Sequence, residues 1–176
     1  MPRRTTFGIV LFASLLTACV HTTTVPLLSA AGIPVTLTPN NAVPLEVVTR
    51  GTGVPDPLPV KGSRFVYADL EAGMSHAVAT ACVPWADAHR DRNPDGYQLF
   101  VELIKAEASH SDDRSVVTLG VRATLRTRAR TKYLAQTQAY CRDAALVPAG
   151  DAAPVIYSCM TRIGRDLAAW LGAIQP

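Results

Sequence analysis

Several motifs that commonly reveal an activity are missing from this sequence of 176 residues. It has no Cys-x-x-Cys pair and no closely spaced histidines, which argues against a zinc site. It has no Gly-x-Ser-x-Gly turn and no recognisable catalytic triad, so no motif supports a hydrolase. The stretch Gly51-Thr52-Gly53 lies among prolines without a following helix pattern, which argues against phosphate binding. We therefore expect no enzymatic activity.

Long apolar runs are scarce as well, and the first one has the pattern of an export signal. Arg3 and Arg4 precede an apolar run at residues 7–16, which is too short to span a bilayer but fits a signal peptide. The letters LTAC, which end at Cys19, then resemble the lipobox of bacterial lipoproteins. The resemblance implies cleavage after residue 18 and attachment of diacylglycerol to Cys19, so that lipid anchors the protein to a membrane. Val20 follows in place of aspartate, and the family's sorting rule then implies the outer membrane, with the protein facing the periplasm.

The remaining chain has the length of one domain and little net charge. Removal of Arg3 and Arg4 lowers the formal net charge from +3 to +1, which leaves no electrostatic basis for nucleic-acid binding. No later apolar run is long enough for a transmembrane helix. Prolines interrupt residues 19–62 too often for a helix, and we expect a tether there. Within it, IPVTL and PLEVV are alternatives for an edge strand.

Residues 63–176 are predicted to form a single α+β domain. Apolar residues recur at three- and four-residue intervals along residues 70–88, where Pro84 should kink or end the helix, and again along residues 155–174. Residues 116–127 alternate as a half-buried strand does, and residues 133–140 suit its hairpin partner. These patterns predict two main helices packed on one face of a largely antiparallel sheet of three to five strands.

Residues 91–102, DRNPDGYQLFVE, admit two interpretations. They match a twelve-residue calcium loop, in which the candidate ligands are Asp91, Asn93, Asp95 and Glu102. Alternatively, Asn-Pro and Asp-Gly form a turn that leads into a strand. We favour the turn and strand because Pro94 stiffens the middle of the loop and no second loop of this kind occurs. Calcium remains the alternative cofactor.

Three cysteines remain after lipidation of Cys19, and a periplasmic location permits disulfides. We favour a Cys141–Cys159 bridge because it would pin the last helix to the end of a strand. A Cys82–Cys159 bridge between the two helices is the competing arrangement.

A cluster of cations lies on the predicted strand 116–127 and the turn that follows it. Its members are Arg122, Arg126, Arg128, Arg130 and Lys132. Such charges commonly guard an exposed sheet face or edge against aggregation. The functional interpretation is contact with an acidic partner protein, an anionic glycan or lipid headgroups, and it makes these five residues the candidates for partner binding.

The order of elements resembles that of small envelope lipoproteins, with YADLEAGMSHAVATA opening the domain and CMTRIGRDLAAWL closing it. Two families share this order: auxiliary lipoproteins of ABC-type lipid-transport systems with their relatives in outer-membrane assembly, and lipoprotein activators of peptidoglycan synthases. Both act by binding, so the resemblance implies a non-enzymatic accessory or adaptor subunit of an envelope transport or assembly complex. A calcium-binding or calcium-stabilised module that uses residues 91–102 and an envelope hydrolase are the alternatives.

Overall fold

The computed structural model describes residues 22–27, 45–92, 95–128, 133–147 and 150–174. Its first four strands and first helix are β1 (Thr23–Pro26), β2 (Leu45–Gly51), β3 (Leu58–Lys61), β4 (Phe65–Ala68) and α1 (Leu70–Ala88). The later elements are β5 (Tyr97–Ser111), β6 (Arg114–Thr127), β7 (Tyr133–Leu146) and α2 (Ala153–Gly172). Neither of these two helices is long and apolar enough to cross a membrane.

The seven strands form one mixed sheet in the order β1-β4-β3-β5-β6-β7, and β2 also pairs with β5. Strands β5, β6 and β7 form an antiparallel meander. Both β2 and β3 run parallel to β5, where β2 pairs with residues 97–103 and β3 with residues 108–109. At the far end, β1 runs parallel to β4, which is antiparallel to β3.

The prediction of a largely antiparallel sheet of three to five strands is therefore wrong. Three of the seven strands lie in residues 19–62, the segment predicted to be a tether. Prolines exclude a helix there but not short extended segments, and the apolar residues between them are buried: Leu45, Leu58 and Val60. PLEVV supplies most of β2, whereas IPVTL lies outside the described residues.

Both helices cover the same face of the sheet, and they contact each other. Helix α1 continues through Pro84 to Ala88. The core lies between the helices and the inward side chains of β5 and β6. Its fully buried residues include Met74, Leu99, Leu103, Leu119, Leu125, Ile156, Met160 and Ile163. Each such side chain contributes about 1.5–3 kcal/mol by leaving water.

Strand β5 keeps one apolar face along its length because it contains a β-bulge. Tyr97 to Leu103 are buried at every second position, and the register shifts between Leu103 and Lys105. The buried positions then continue at Ala106 and Ala108. The additional residue, Ile104, thus resets the alternation so that both halves of the strand face the helices.

A hydrogen-bond network fixes the start of α2 to strand β4. The Tyr67 hydroxyl donates to Asp151 Oδ1 at 2.5 Å and accepts a hydrogen bond from the Ala152 N–H at 2.7 Å. Asp151 Oδ1 also accepts from the Ala153 N–H at 3.0 Å, which satisfies an N–H in the first turn of the helix. Burial, followed by the bond to Asp151, raises the pKa of Tyr67.

Candidate interaction surface

The face of the sheet opposite the helices carries the polar and aromatic side chains of the meander. Alternation along β5, β6 and β7 turns every second residue to this side. We call it the open face; its outward residues include Gln98, Phe100, Glu102, Thr118, Arg122, Arg126, Gln138, Tyr140 and Arg142. All nine are half-buried or exposed, so the open face is accessible within the described part of the chain.

The strand register sets these side chains in rows across the sheet. One row runs from Glu102 through Arg122 to Gln138, and another, two rows along, runs from Gln98 through Arg126 to Tyr133. Side chains opposite each other on neighbouring antiparallel strands are close enough to interact. The open face therefore presents alternating charge, amide and aromatic groups.

Two arginines of the predicted cation cluster are engaged in ion pairs with acidic residues. Arg122 donates to Glu102 Oε2 at 2.9 Å, and Arg128 Nε lies 3.4 Å from Glu46 Oε2. Arg126 lies between them on the outward side of β6 and is half-buried. Partly exposed pairs of this kind contribute less than about 1 kcal/mol to folding, so they order the arginines more than they stabilise the fold. The remaining two residues of the cluster, Arg130 and Lys132, lie outside the described residues.

The exposed large hydrophobic side chains are concentrated on one strand. Among the residues that the structure describes, four large hydrophobic side chains are exposed. One is Val83 in α1, and the other three lie in β7: Tyr133, Tyr140 and Leu146, which have 54%, 55% and 77% of their surface accessible. Elsewhere on the open face, the Arg50 guanidinium lies over the Phe100 ring, with its Cζ 6.0 Å from the ring centre. Exposed apolar groups gathered on one strand are typical of an interaction surface.

A shallow groove of about 650 Å³ continues the open face toward the end of β3. Three cations line it, Lys61, Lys105 and Arg142, together with Glu107, whose carboxylate lies 3.4 Å from the Lys105 Nζ. Apolar walls come from Pro55 in the loop before β3 and from Pro59 within that strand. The groove therefore combines apolar walls with a net positive rim.

Strand β7 is held rigidly to α2 from the opposite side of the sheet. A disulfide joins Cys141 to Cys159, the pairing that the sequence favours over Cys82–Cys159. The Ser158 hydroxyl donates to Asp143 Oδ2 at 2.6 Å, and Arg162 lies 3.8 Å from the same oxygen. The hydrogen bond from Ser158, a second one from the Ala144 N–H and the nearby charge of Arg162 hold the pKa of the Asp143 carboxyl below its usual value.

Cys82 is the free cysteine of the described part of the chain and lies in the core between helix and sheet. Burial raises the pKa of its thiol to about 11. Because the thiolate is the reactive form, Cys82 is suited to packing rather than to chemistry.

Within the described residues, the fold does not bring the candidate calcium ligands together. Strand β5 begins at Tyr97, as the turn-and-strand interpretation requires, and Glu102 lies within it, paired with Arg122. Asp91 and Asp95 are exposed in the preceding turns, and Asn93 lies outside the described residues. No group of three or more His, Cys, Asp or Glu side chains that could hold a metal ion occurs in the described ranges.

Sequence reasoning identified the arginines of β6 but missed the residues beside them. Arg142 reaches the open face because β7 continues to Leu146, six residues past the predicted end of the strand, whereas Tyr140 is the last residue of the predicted strand. Glu46 and Arg50 were missed because their segment was assigned to the tether.

No protein-family model matches the chain, and no curated protein sequence is similar to it. Among solved structures, a Xanthomonas campestris protein of the family DUF330 aligns with a TM-score of 0.54 and 15% identity, over 84% of this chain and 94% of that one. A predicted lipoprotein of Caulobacter crescentus aligns with a TM-score of 0.45 and 16% identity, over 74% of this chain and 93% of that one. A lipoprotein of Neisseria meningitidis aligns with a TM-score of 0.37 and 13% identity, over 72% of this chain and 95% of that one. At these sequence identities, the comparison shows only that the chain shares the fold of the Xanthomonas protein.

Proposed function

We propose that this protein is a lipid-anchored accessory subunit of the bacterial outer membrane that binds an envelope transport or assembly complex on its periplasmic side. The lipobox that ends at Cys19 supports the anchor. The observation that carries the binding role is the open face, which both helices leave uncovered within the described residues and which carries ordered arginines and exposed tyrosines. Tyrosine and arginine are the residues that most often dominate the binding energy of protein interfaces.

The composition of the open face favours a protein partner with acidic groups. Neither cross-strand neighbour of Arg126 carries a negative charge, because Arg126 pairs in register with Gln98 and Tyr133. An incoming carboxylate would therefore meet a cation that no acidic cross-strand neighbour neutralises. Arg122 and Arg128 already have acidic neighbours, which would orient them for the same contact.

Site-specific photocrosslinking in cells tests this proposal. A photoreactive amino acid replaces Thr118 at the centre of the open face, and a matched control replaces Arg165, which is exposed on α2 on the other side of the molecule. We expect Thr118 to capture a defined envelope protein and Arg165 to capture none. The same crosslink should weaken at least tenfold in an Arg126→Glu/Arg128→Glu background.

Two results would contradict the proposal. Capture of the same proteins from both positions would indicate non-specific proximity, and the absence of any captured protein at Thr118 would show that the open face is not an interface. Accumulation of the intact, disulfide-bonded protein in each strain verifies that the variants fold.

A further inference from the structure

The outer edge of strand β7 has no neighbour among the described strands. β7 is the last strand in the order of the sheet and pairs with β6 alone within those ranges. It is 14 residues long, which is more than twice the length of an ordinary strand. An unpaired edge exposes a row of backbone donors and acceptors that can hydrogen bond to another strand.

This edge lacks most of the features that prevent strands from pairing. Tyr133–Leu146 contains no proline and no lysine, and its two charged residues are Arg142 and Asp143. The carboxylate of Asp143 is directed to Ser158 and Arg162 of α2, which leaves Arg142 as the one charge on the open-face side. Exposed Tyr140 and Leu146 add apolar surface along the same strand.

The side-chain pattern of β7 is complementary to itself. In an antiparallel pair of two β7 strands with Tyr140 opposite Tyr140, Arg142 of each copy faces the Gln138 amide of the other, and like charges do not meet. A pair centred on Arg142 or on Asp143 would instead place two like charges opposite each other, which is destabilising. In the register centred on Tyr140, each tyrosine ring stays over Gly120 of its own copy, so the two rings do not collide at the two-fold axis.

The strand is already ordered before any partner arrives. The Cys141–Cys159 disulfide and the Ser158–Asp143 hydrogen bond fix β7 to α2 on the inner side, away from Tyr140. Association then costs little additional ordering of the backbone.

We propose that β7 pairs antiparallel with β7 of a second copy of this chain, about a two-fold axis at Tyr140, to form one continuous sheet across a symmetric dimer. Residue i of one copy then lies opposite residue 280 − i of the other, since 140 lies opposite itself. The open faces of the two copies join into one surface on the same side, because a two-fold axis perpendicular to the sheet preserves its faces. This pairing is independent of the partner complex proposed above.

Disulfide trapping of the full-length chain in cells tests both the dimer and its register. With Tyr140→Cys, the two new thiols lie opposite each other, within the 4.4–6.8 Å Cα separation that a disulfide needs. We expect a covalent dimer on a non-reducing gel that disappears on reduction. Because residue 140 faces the side opposite to Cys141, the new thiol does not interfere with the existing bridge.

Two controls distinguish this geometry from random collision. Thr118→Cys lies on the same face but one strand further from the edge, so its two thiols would be three strand spacings apart across the sheet and also displaced along it, at least about 14 Å in all, and should not join. Gln138→Cys and Arg142→Cys, expressed together with different tags, should join to each other, whereas neither should form a dimer when expressed alone.

The outcomes decide the proposal. A Tyr140→Cys dimer together with the Gln138–Arg142 crosslink supports it. It is overturned by the absence of a covalent dimer in both experiments, by equal dimer formation at Thr118, or by a disulfide to a different protein. The Arg126→Glu/Arg128→Glu variant should keep the Tyr140→Cys dimer, so loss of the partner complex and loss of the dimer are separable.

Discussion

The ring of Tyr140 lies across Gly120 on the neighbouring strand. The two residues are paired in register between β6 and β7, and a Cβ on Gly120 would meet the Tyr140 Cε1 at 2.6 Å. Glycine weakens a strand because it has no side chain to pack, and here a tyrosine ring covers the space that it leaves. The absence of a side chain at Gly120 therefore determines where the Tyr140 ring lies on the open face.

We expect Gly120→Ala to displace the Tyr140 ring and to lower the free energy of unfolding by about 1–3 kcal/mol, as other overpacking substitutions do. Urea denaturation of the purified protein would measure it. Most of this loss should be recovered when Tyr140→Ala is added, since the clash is then removed. Gly172→Ala is the control, because a Cβ there meets nothing within 4 Å. Equal losses for Gly120→Ala with and without Tyr140 would refute the contact.

Tyr67→Phe should cost about 1–3 kcal/mol of folding stability. The change removes the donor to Asp151 and leaves the buried N–H of Ala152 without its acceptor. Thermal or urea unfolding would show the difference. Tyr133→Phe removes a hydroxyl of the same kind that is bonded to Gln136 at the surface, and it should change stability by less than about 0.5 kcal/mol. Similar effects of the two substitutions would contradict the role of the network at the start of α2.

Loss of the disulfide should destabilise the protein by about 3 kcal/mol, because it closes a segment with a sequence separation of 18 residues. The variant is Cys141→Ala/Cys159→Ala, and the measurement is its unfolding midpoint with and without a reducing agent. Reductant should lower the midpoint of the unmodified protein and leave that of the variant unchanged. A drop in both would assign the effect of the reductant to some other group.

Ser158→Ala should remove a part of the stability that depends on pH. The Ser158 hydroxyl lowers the pKa of Asp143 in the folded protein relative to about 3.9 for a free aspartate. A lowered carboxyl pKa stabilises the folded state above the unfolded value, and this stabilisation is lost as the pH falls through the folded pKa.

The difference in stability between the unmodified protein and Ser158→Ala should therefore be constant near neutral pH and shrink below about pH 4. Denaturation across the range from pH 3 to pH 7 would test this. Thr161→Ala, a hydroxyl deletion at an exposed position of the same helix, is the control and should show no such dependence. A difference for Ser158→Ala that does not vary with pH would exclude coupling to the carboxyl.

The elements predicted correctly are those whose periodicity is local. The apolar spacing of α1 and α2 and the alternation of β6 are set by the side of each element that faces the core. The parallel pairings of β2 and β3 were missed because they depend on a long-range crossover, which neighbouring residues do not encode. The prolines around Leu58 also resemble those of a linker, although its side chain is almost fully buried.

The candidate surface was predicted in part, for the same physical reason. Arg122 and Arg126 share a face of one strand, so their spacing alone places them together. Glu46, which pairs with Arg128, lies on β2 and reaches the surface only through the parallel pairing. The exposure of Tyr140 was not predicted, because it follows from the position of β7 at the edge of the sheet.

The attachment of β2 to β5 has a consequence for how the chain matures. The pairing of β2 with β5 joins residues that are 52 positions apart, as in Glu46 with Gln98, whereas β5 pairs with β6 and β6 with β7, in each case the next strand along the chain. A chain that is synthesised from its N-terminus contains β2 and β3 well before the strand that accepts them. Their apolar residues then stay unpaired until β5 forms, and this interval is when the folding chain is most exposed to aggregation.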